Sequence, residues 1–373
     1  MRVTQNISAE SSLYYLQKTL ARMESTQEKI ASGVNVNRPS DDPVMTQLLL
    51  TINDNLSSAD QYKSNISRSQ TWFGIADAAM SAMTKSISDL SSKISSVGDL
   101  ISDEQERKNA ISYLTATKKT LLDMGNTDIG GVYMFAGTKN QTPPFQQATA
   151  TNGMTNGSTL IDVGSVDGLA EGMEVSGPGI QPGTKITVLD SLSNPPSITI
   201  SKPVTGGNYP KNTPLSFYGG NAEDVNVEII KGSTEAVNIP GNHLLASQDG
   251  PYGKVNILGT LDRIIMELEK DPADPLYNKE QVIQNIYSGM KDLTKGTQQL
   301  IGATVELQAR QVRFDAANTM HDTISNMYKK VLSVQQAADV TKQAVFLNQQ
   351  QTAYQATLSS TAKIMSMSLL DYM

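Results

Sequence analysis

The chain has 373 residues, 30 Lys and Arg against 37 Asp and Glu, a formal charge of -7, a pI near 5.0 and no cysteine. Its basic residues are scattered, which argues against a nucleic-acid partner, and the lack of cysteine excludes disulfides and thiolate metal sites. No segment approaches the roughly 18 to 20 apolar residues needed to cross a bilayer, so no membrane insertion is expected.

No proline falls between Pro43 and Pro143 and none follows Pro275, whereas the middle is dense in proline and glycine. An interior proline removes a backbone donor and clashes with the preceding turn, so this distribution predicts helices at both ends and a β module between them. Leu13, Leu16, Leu20, Met23, Gln27 and Ile30 alternate spacings of three and four and predict one helix, stopped at Gly33. After a connection over 34–42, a second pattern starts at Pro43 with Leu48, Leu49, Ile52 and Leu56. It runs through Tyr62, Ile66 and Phe73 to Met80, Met83, Ile87, Leu90, Ile94 and Val97. Residues 44 to about 125 therefore read as one long or two stacked helices interrupted near Gly98 and Asp103. Trp72, Phe73 and the helical methionines fit packing better than a ligand platform.

From Gly130 the texture changes. Val132-Tyr133-Met134-Phe135 predicts a strand, and alternation predicts others at 159–163, 185–189, 197–200 and 225–229, joined by tight turns. Helix returns near Val255, with Leu258, Leu261, Ile264, Ile265 and Leu268, and breaks at Asp271-Pro272-Ala273-Asp274-Pro275. Beyond Gly302 there is neither proline nor glycine, which predicts a single rod over 303–373, roughly 100 Å long at 1.5 Å per residue. Leu358, Ala362, Met365, Leu369 and Tyr372 follow heptad spacing on it. The other faces are rich in Gln, Ser, Thr and Asn rather than Lys and Glu, which fits packing against neighbouring subunits better than the alternative, a polar solvated face.

The expected fold is α+β and multidomain: long N- and C-terminal helices paired in a coiled coil and helical bundle, with an all-β middle facing outward. The boundaries read as 1–42 with 330–373 for a terminal coiled-coil assembly domain and 43–142 with 255–329 for a helical bundle. The β part spans 143–254, with a small inserted β domain at about 147–216.

The most specific local feature is the connection Arg38-Pro39-Ser40-Asp41-Asp42-Pro43. Asp42 can cap a helix whose first residue is Pro43, and helix dipoles favour acids there, so capping accounts for the carboxylates more simply than acid–base or metal chemistry. The only histidines, His243 and His321, have no companion ligand. Gly177-Pro178-Gly179 lacks the following helix and lysine of a phosphate loop and reads as a β-turn. No catalytic residue, metal or cofactor is expected.

Taken together, these residues resemble the bacterial flagellin superfamily. The resemblance is carried by the N-terminal leucine repeat with Arg38-Pro39-Ser40-Asp41-Asp42-Pro43, and by Gly131-Val132-Tyr133-Met134-Phe135-Ala136-Gly137-Thr138 with Pro144-Phe145. Gly302-Ala303 and the ending Ser368-Leu369-Leu370-Asp371-Tyr372-Met373 complete it. It covers about 1–145 and 217–373. Filament subunits carry an Ala-Lys-Asp-Asp-Ala-Ala-Gly type of segment where this chain has Pro39 to Pro43, which favours the branch that joins hook to filament; a filament subunit is the alternative. Nothing about the role of 147–216 follows from the resemblance, and a surface adhesin role for that insertion is a further alternative.

The resemblance implies a structural, non-enzymatic adaptor. Its terminal helices would assemble through Leu13, Leu16, Leu20, Met23 and Ile30 against Leu358, Ala362, Met365, Leu369 and Tyr372, within a subunit or between copies. Implied partners are its own copies in a helical ring, a hook-associated protein on the hook side, flagellin on the filament side, and an export chaperone on the C-terminal helix. Met1-Arg2-Val3-Thr4-Gln5-Asn6 does not resemble a cleaved secretory leader, so the expected location, the extracellular flagellum, would be reached through flagellar type III export.

Overall fold

The structure is a computed structural model that describes residues 2–94, 103–181, 183–246, 250–273 and 277–370, apart from the side chains of 2–6, 8, 9 and 364–370. Val97, Gly98, Pro275, Tyr372 and the side chains of Met365 and Leu369 therefore lie outside the described residues. Six α-helices occur among those described: α1 (Arg2–Ser32), α2 (Pro43–Lys93), α3 (Glu104–Gly125), α4 (Ile257–Glu269), α5 (Lys279–Gln336) and α6 (Val340–Leu370). The β segments lie between α3 and α4. Two compact units result, Met1–Tyr62 with Thr319–Met373, and Lys63–Asn318.

The helix limits follow local chemistry. α1 stops where Gly33 takes a positive φ of 68°, a conformation that costs an L side chain about 1 to 2 kcal/mol. Pro43 opens α2 at the position where its missing N–H is harmless, and the Asp42 carboxylate accepts from the Met45 N–H at 2.9 Å. Asp103 caps α3 by accepting from the N–H groups of Gln105 and Glu106.

In the larger unit, α2 and α5 each bury a seven-residue repeat. Ile66, Phe73, Met80 and Ile87 line one, continued by Ile94 just past the helix end, and Ile286, Leu293, Leu300, Leu307 and Phe314 line the other. The helices run antiparallel: Gln70 Nε2 donates to Asp315 Oδ1 at 2.6 Å, Phe73 meets Phe314 edge-on with ring centroids 4.9 Å apart, and Gln308 Nε2 reaches Asp77 Oδ1 at 3.2 Å. α3 contributes Leu114, Leu121 and Leu122, and α4 contributes Leu258, Leu261, Ile264 and Leu268. α4 fits two notches in α5, because a Cβ on Gly289 would lie 2.5 Å from Ile264 Cγ1 and one on Gly296 2.7 Å from Ile257 Cγ1. Within this core the Lys118 ammonium of α3 donates to both carboxylate oxygens of Asp262 on α4, at 2.7 and 2.8 Å.

Among the described residues ten strands follow α3: β1 (Asp128–Ile129), β2 (Val132–Tyr133), β3 (Phe145–Ala150), β4 (Leu160–Asp162), β5 (Glu174–Ser176), β6 (Ile186–Asp190), β7 (Ser197–Ile200), β8 (Thr213–Tyr218), β9 (Asn226–Ile230) and β10 (Ser233–Ala236). β1–β2 and β9–β10 are hairpins. The six middle strands form two sheets, ordered β3-β8-β5 and β4-β7-β6. Antiparallel bridges join the sheets at both edges, Ala150 to Val163 and Glu174 to Lys185. All neighbours are antiparallel, so the strands close into a small barrel, leaving no long unpaired edge. Its interior is a hydrophobic cluster of its own, built from Met154, Ile161, Val175, Ile198, Leu215 and Phe217 among others and separate from the helical core.

Two sequence expectations change. The strand predicted over 132–135 ends at Tyr133, because Met134, Phe135 and Ala136 turn into the helical core, where Phe135 O accepts from the Gly241 N–H and the Tyr218 hydroxyl. The rod predicted over 303–373 is interrupted at 337–339. There the backbone abandons helical pairing to bond with the α1–α2 connection, and Asp339 starts α6 afresh by accepting from the Lys342 N–H at 3.0 Å.

Candidate assembly surface of the paired terminal helices

The smaller unit is organised by one joint. Val34 pairs antiparallel with Ala337, the Asn35 N–H donates to Gln336 O at 2.8 Å, and the Ala338 N–H donates to Gly33 O at 2.9 Å. The connection after α1 is thus zipped to the break between α5 and α6, which turns α6 back along α1. The rest of the junction motif shapes this loop. Asp41 Oδ2 accepts from the Arg38 N–H at 3.0 Å, the Asp41 N–H returns to Arg38 O at 2.9 Å, and the Arg38 guanidinium meets Glu28 at 3.1 Å. Pro39 and Ser40 are exposed at the turn. The two adjacent acids therefore close a turn and cap α2, and neither faces a cavity.

From the joint outward, α1 and α6 pack antiparallel. The least exposed stripe of α1 is Ser12, Leu16, Thr19, Met23, Thr26 and Ile30, and that of α6 is Gln343, Leu347, Gln350, Tyr354, Thr357 and Thr361. Both follow strict alternation of four and three residues, the signature of a coiled-coil seam. Three of the six on α1 and four of the six on α6 are polar. Thr19, Thr26, Thr357 and Thr361 return their hydroxyls to the carbonyl four residues earlier in their own helix. Such threonines satisfy themselves and add little attraction across the seam.

Of the residues expected to form the interface, Leu16, Met23 and Ile30 lie in this seam and Leu20 lies half-buried beside it, while Leu13 is half exposed. Leu358 and Ala362 are exposed and lie outside that stripe. Large apolar groups accumulate outside it: exposure ranges from 42% for Phe346 and 43% for Leu358 through 54% for Val345 to 59% and 61% for Tyr14 and Tyr15. Nearer the joint, Val44 and Leu48 on α2 and Met327 and Val334 on α5 are also exposed.

Sequence reasoning missed the 336–339 half of the joint. Its signal was present, since Asp339 precedes Val340 and the apolar pair Phe346 and Leu347, an N-cap followed by helical periodicity. Among the described residues no group of three or more His, Asp or Glu side chains could hold a metal ion, and no helix is long and apolar enough to cross a membrane.

The chain thus combines a closed helical core, a separate barrel and paired ends with an open apolar surface. Residues 3–140 match the family described as the bacterial flagellin N-terminal helical region. Over that stretch, just over a third of the chain, it is similar to bacterial flagellins. It is 25% identical over 150 residues to flagellar hook-associated protein 3 of Salmonella typhimurium, covering 40% of this chain and 47% of that protein. It is 22% identical over 148 residues to the protein of the same name from Escherichia coli, covering 39% of this chain and 47% of the relative. The aligned region thus spans about half the length of the curated relatives. A solved Vibrio parahaemolyticus chain described as a flagellar hook-associated protein shares the fold, with a TM-score of 0.51 at 19% identity over 79% of this chain and 98% of that one.

Proposed function

We propose that this chain is the adaptor at the junction between flagellar hook and filament, a structural and non-enzymatic subunit that assembles through its terminal helices. The observation that carries the reading is the imbalance of the α1–α6 pair: a half-polar seam inside and large apolar side chains outside. Burying one such side chain is worth about 1.5 to 3 kcal/mol. Isolated helix pairs of this kind are marginal, so partners complete them. The curated relatives bear the name of a hook-associated protein, which fits a ring of copies joining a hook-side protein to flagellin.

In this reading 1–42 and 330–373 form the assembly domain, 43–142 and 255–329 the helical bundle, and 143–254 the β part, with 147–216 inserted. An export chaperone covers the C-terminal helix before assembly, and the protein works outside the cell, in the flagellum. Leu358 lies on the surface that neighbouring copies cover.

The experiment is deletion of the gene in its own host, complemented by wild-type or Leu358→Asp protein. Electron microscopy should show bare hooks, with flagellin shed into the medium, in the deletion and in the variant. Attached filaments in the deletion strain would overturn the junction role, and loss of the filament protein itself would identify a filament subunit instead.

A further inference from the structure

Inside the larger unit, a cleft of about 910 Å³ separates the barrel turns from α4 and α5, a size typical of small-molecule sites. One wall is backbone-rich and aromatic. Tyr209 lines it half-buried and fixed: its hydroxyl donates to Thr205 O at 2.8 Å, and its ring lies against Gly179, where a Cβ would sit 2.2 Å from the ring. The other wall is a set of hydrogen-bonding groups locked by ion pairs. Arg263 reaches Asp292 at 2.8 Å, Lys295 reaches the other oxygen of Asp292 at 3.1 Å, and Lys270 holds Glu267 at 2.7 Å. Desolvation pushes the Asp292 carboxyl up, but hydrogen bonds from Arg263 and Lys295 outweigh it and hold the group below its ordinary value. Gln298 adds an exposed amide, and Tyr252 a second aromatic ring.

The cations and anions on this wall largely neutralise one another, so an ionic ligand gains little there. A ligand with many hydroxyls and an apolar ring face gains much. Fixed planar donors and acceptors reward it without losing their own rotamer freedom, and a tyrosine ring offers a stacking surface. We infer that the cleft between the barrel and helices α4 and α5 is a binding site for a neutral oligosaccharide. The inference is independent of the junction role, since it concerns only the larger unit.

The test is calorimetric titration of the full chain with maltotetraose, chitotetraose and mannotetraose, with sialyllactose and a heparin tetrasaccharide as charged comparators. At least one neutral tetrasaccharide should bind, with an affinity unchanged within twofold between 50 and 500 mM salt as an order-of-magnitude expectation for an uncharged ligand. Gln298→Ala, at an exposed position, and Tyr209→Ala should each weaken that binding about tenfold, equivalent to one lost hydrogen bond or ring contact. Circular dichroism establishes that both variants fold. No binding by any neutral sugar, binding only of the charged comparators, or full affinity in both folded variants would each overturn the assignment.

Discussion

The buried Lys118–Asp262 pair offers the sharpest test of the helical core. Lys118 and Asp262 side chains are 5% and 0% exposed, and the ammonium binds both carboxylate oxygens. Burial nevertheless pushes the Asp262 carboxyl up from 3.8 to about 6, with Lys118 pulling the other way. That gap corresponds to roughly 3 kcal/mol. Lys118→Met removes the only attraction opposing burial, so the carboxylate either stays charged and unpaired or takes a proton. Breaking one partner of a buried pair costs about 3 to 5 kcal/mol. The folded state of the variant binds the proton more tightly than the unfolded chain. Its stability is therefore highest below the ordinary carboxylate range and falls as pH rises through the raised folded value, so the loss should be larger at pH 7.5 than at pH 5. Urea unfolding followed by circular dichroism and by the fluorescence of the single tryptophan, Trp72, measures it. Lys118→Met/Asp262→Leu, with no charge left to bury, should recover most of the loss. A single variant within about 1 kcal/mol of wild type, or a loss independent of pH, refutes the account.

Three further outcomes are expected. Gly33→Val, which forces a branched residue to φ near 68°, should cost about 1 to 2 kcal/mol locally and speed amide exchange at Asn35 and Ala338, whose N–H groups zip the joint. Gln350→Leu replaces a polar seam position, so it should raise the helicity and protease resistance of the ends in the monomer; unchanged digestion of α1 and α6 would count against the seam register. Replacing 148–215 by Asn-Gly, with Phe217→Thr, joins β3 to β8 where Gln147 already pairs with Ser216. The resulting hairpin should leave the urea transition of the helical core within about 1 kcal/mol of wild type, because the barrel has its own hydrophobic cluster.

What could be read from the chain beforehand was what depends on local repetition. The helical arms and the capping role of Asp42 were legible because spacing and turn chemistry are local signals, and the strands at 160–162, 186–190, 197–200 and 226–230 because they alternate. β3, with Gln146, Gln147 and Thr149, and β8, opening Thr213-Pro214, carry no such alternation; their pairing is long-range and becomes visible only when the barrel closes. The seam of the ends was legible on α1 but displaced on α6. The apolar residues Leu358 and Ala362 have seam-like spacing, yet the described stripe facing inward is 343, 347, 350, 354, 357 and 361. Periodicity locates a face; it does not say which of two faces meets the neighbouring helix of the same chain.

That ambiguity is informative about how the ends work. If Leu358, Val345 and Phe346 filled the seam with α1, the pair would be a self-sufficient coiled coil and little apolar surface would remain for assembly. By giving the seam to Gln343, Gln350, Thr357 and Thr361, the chain keeps α1 and α6 aligned through register and the joint at 33–38 and 336–339 rather than through hydrophobic strength. The apolar side chains then stay exposed on the paired ends. The helical core and the barrel follow the opposite rule, each closing its own hydrophobic cluster. Those two clusters are filled from within the chain, whereas the seam of the paired ends leaves large apolar side chains uncovered.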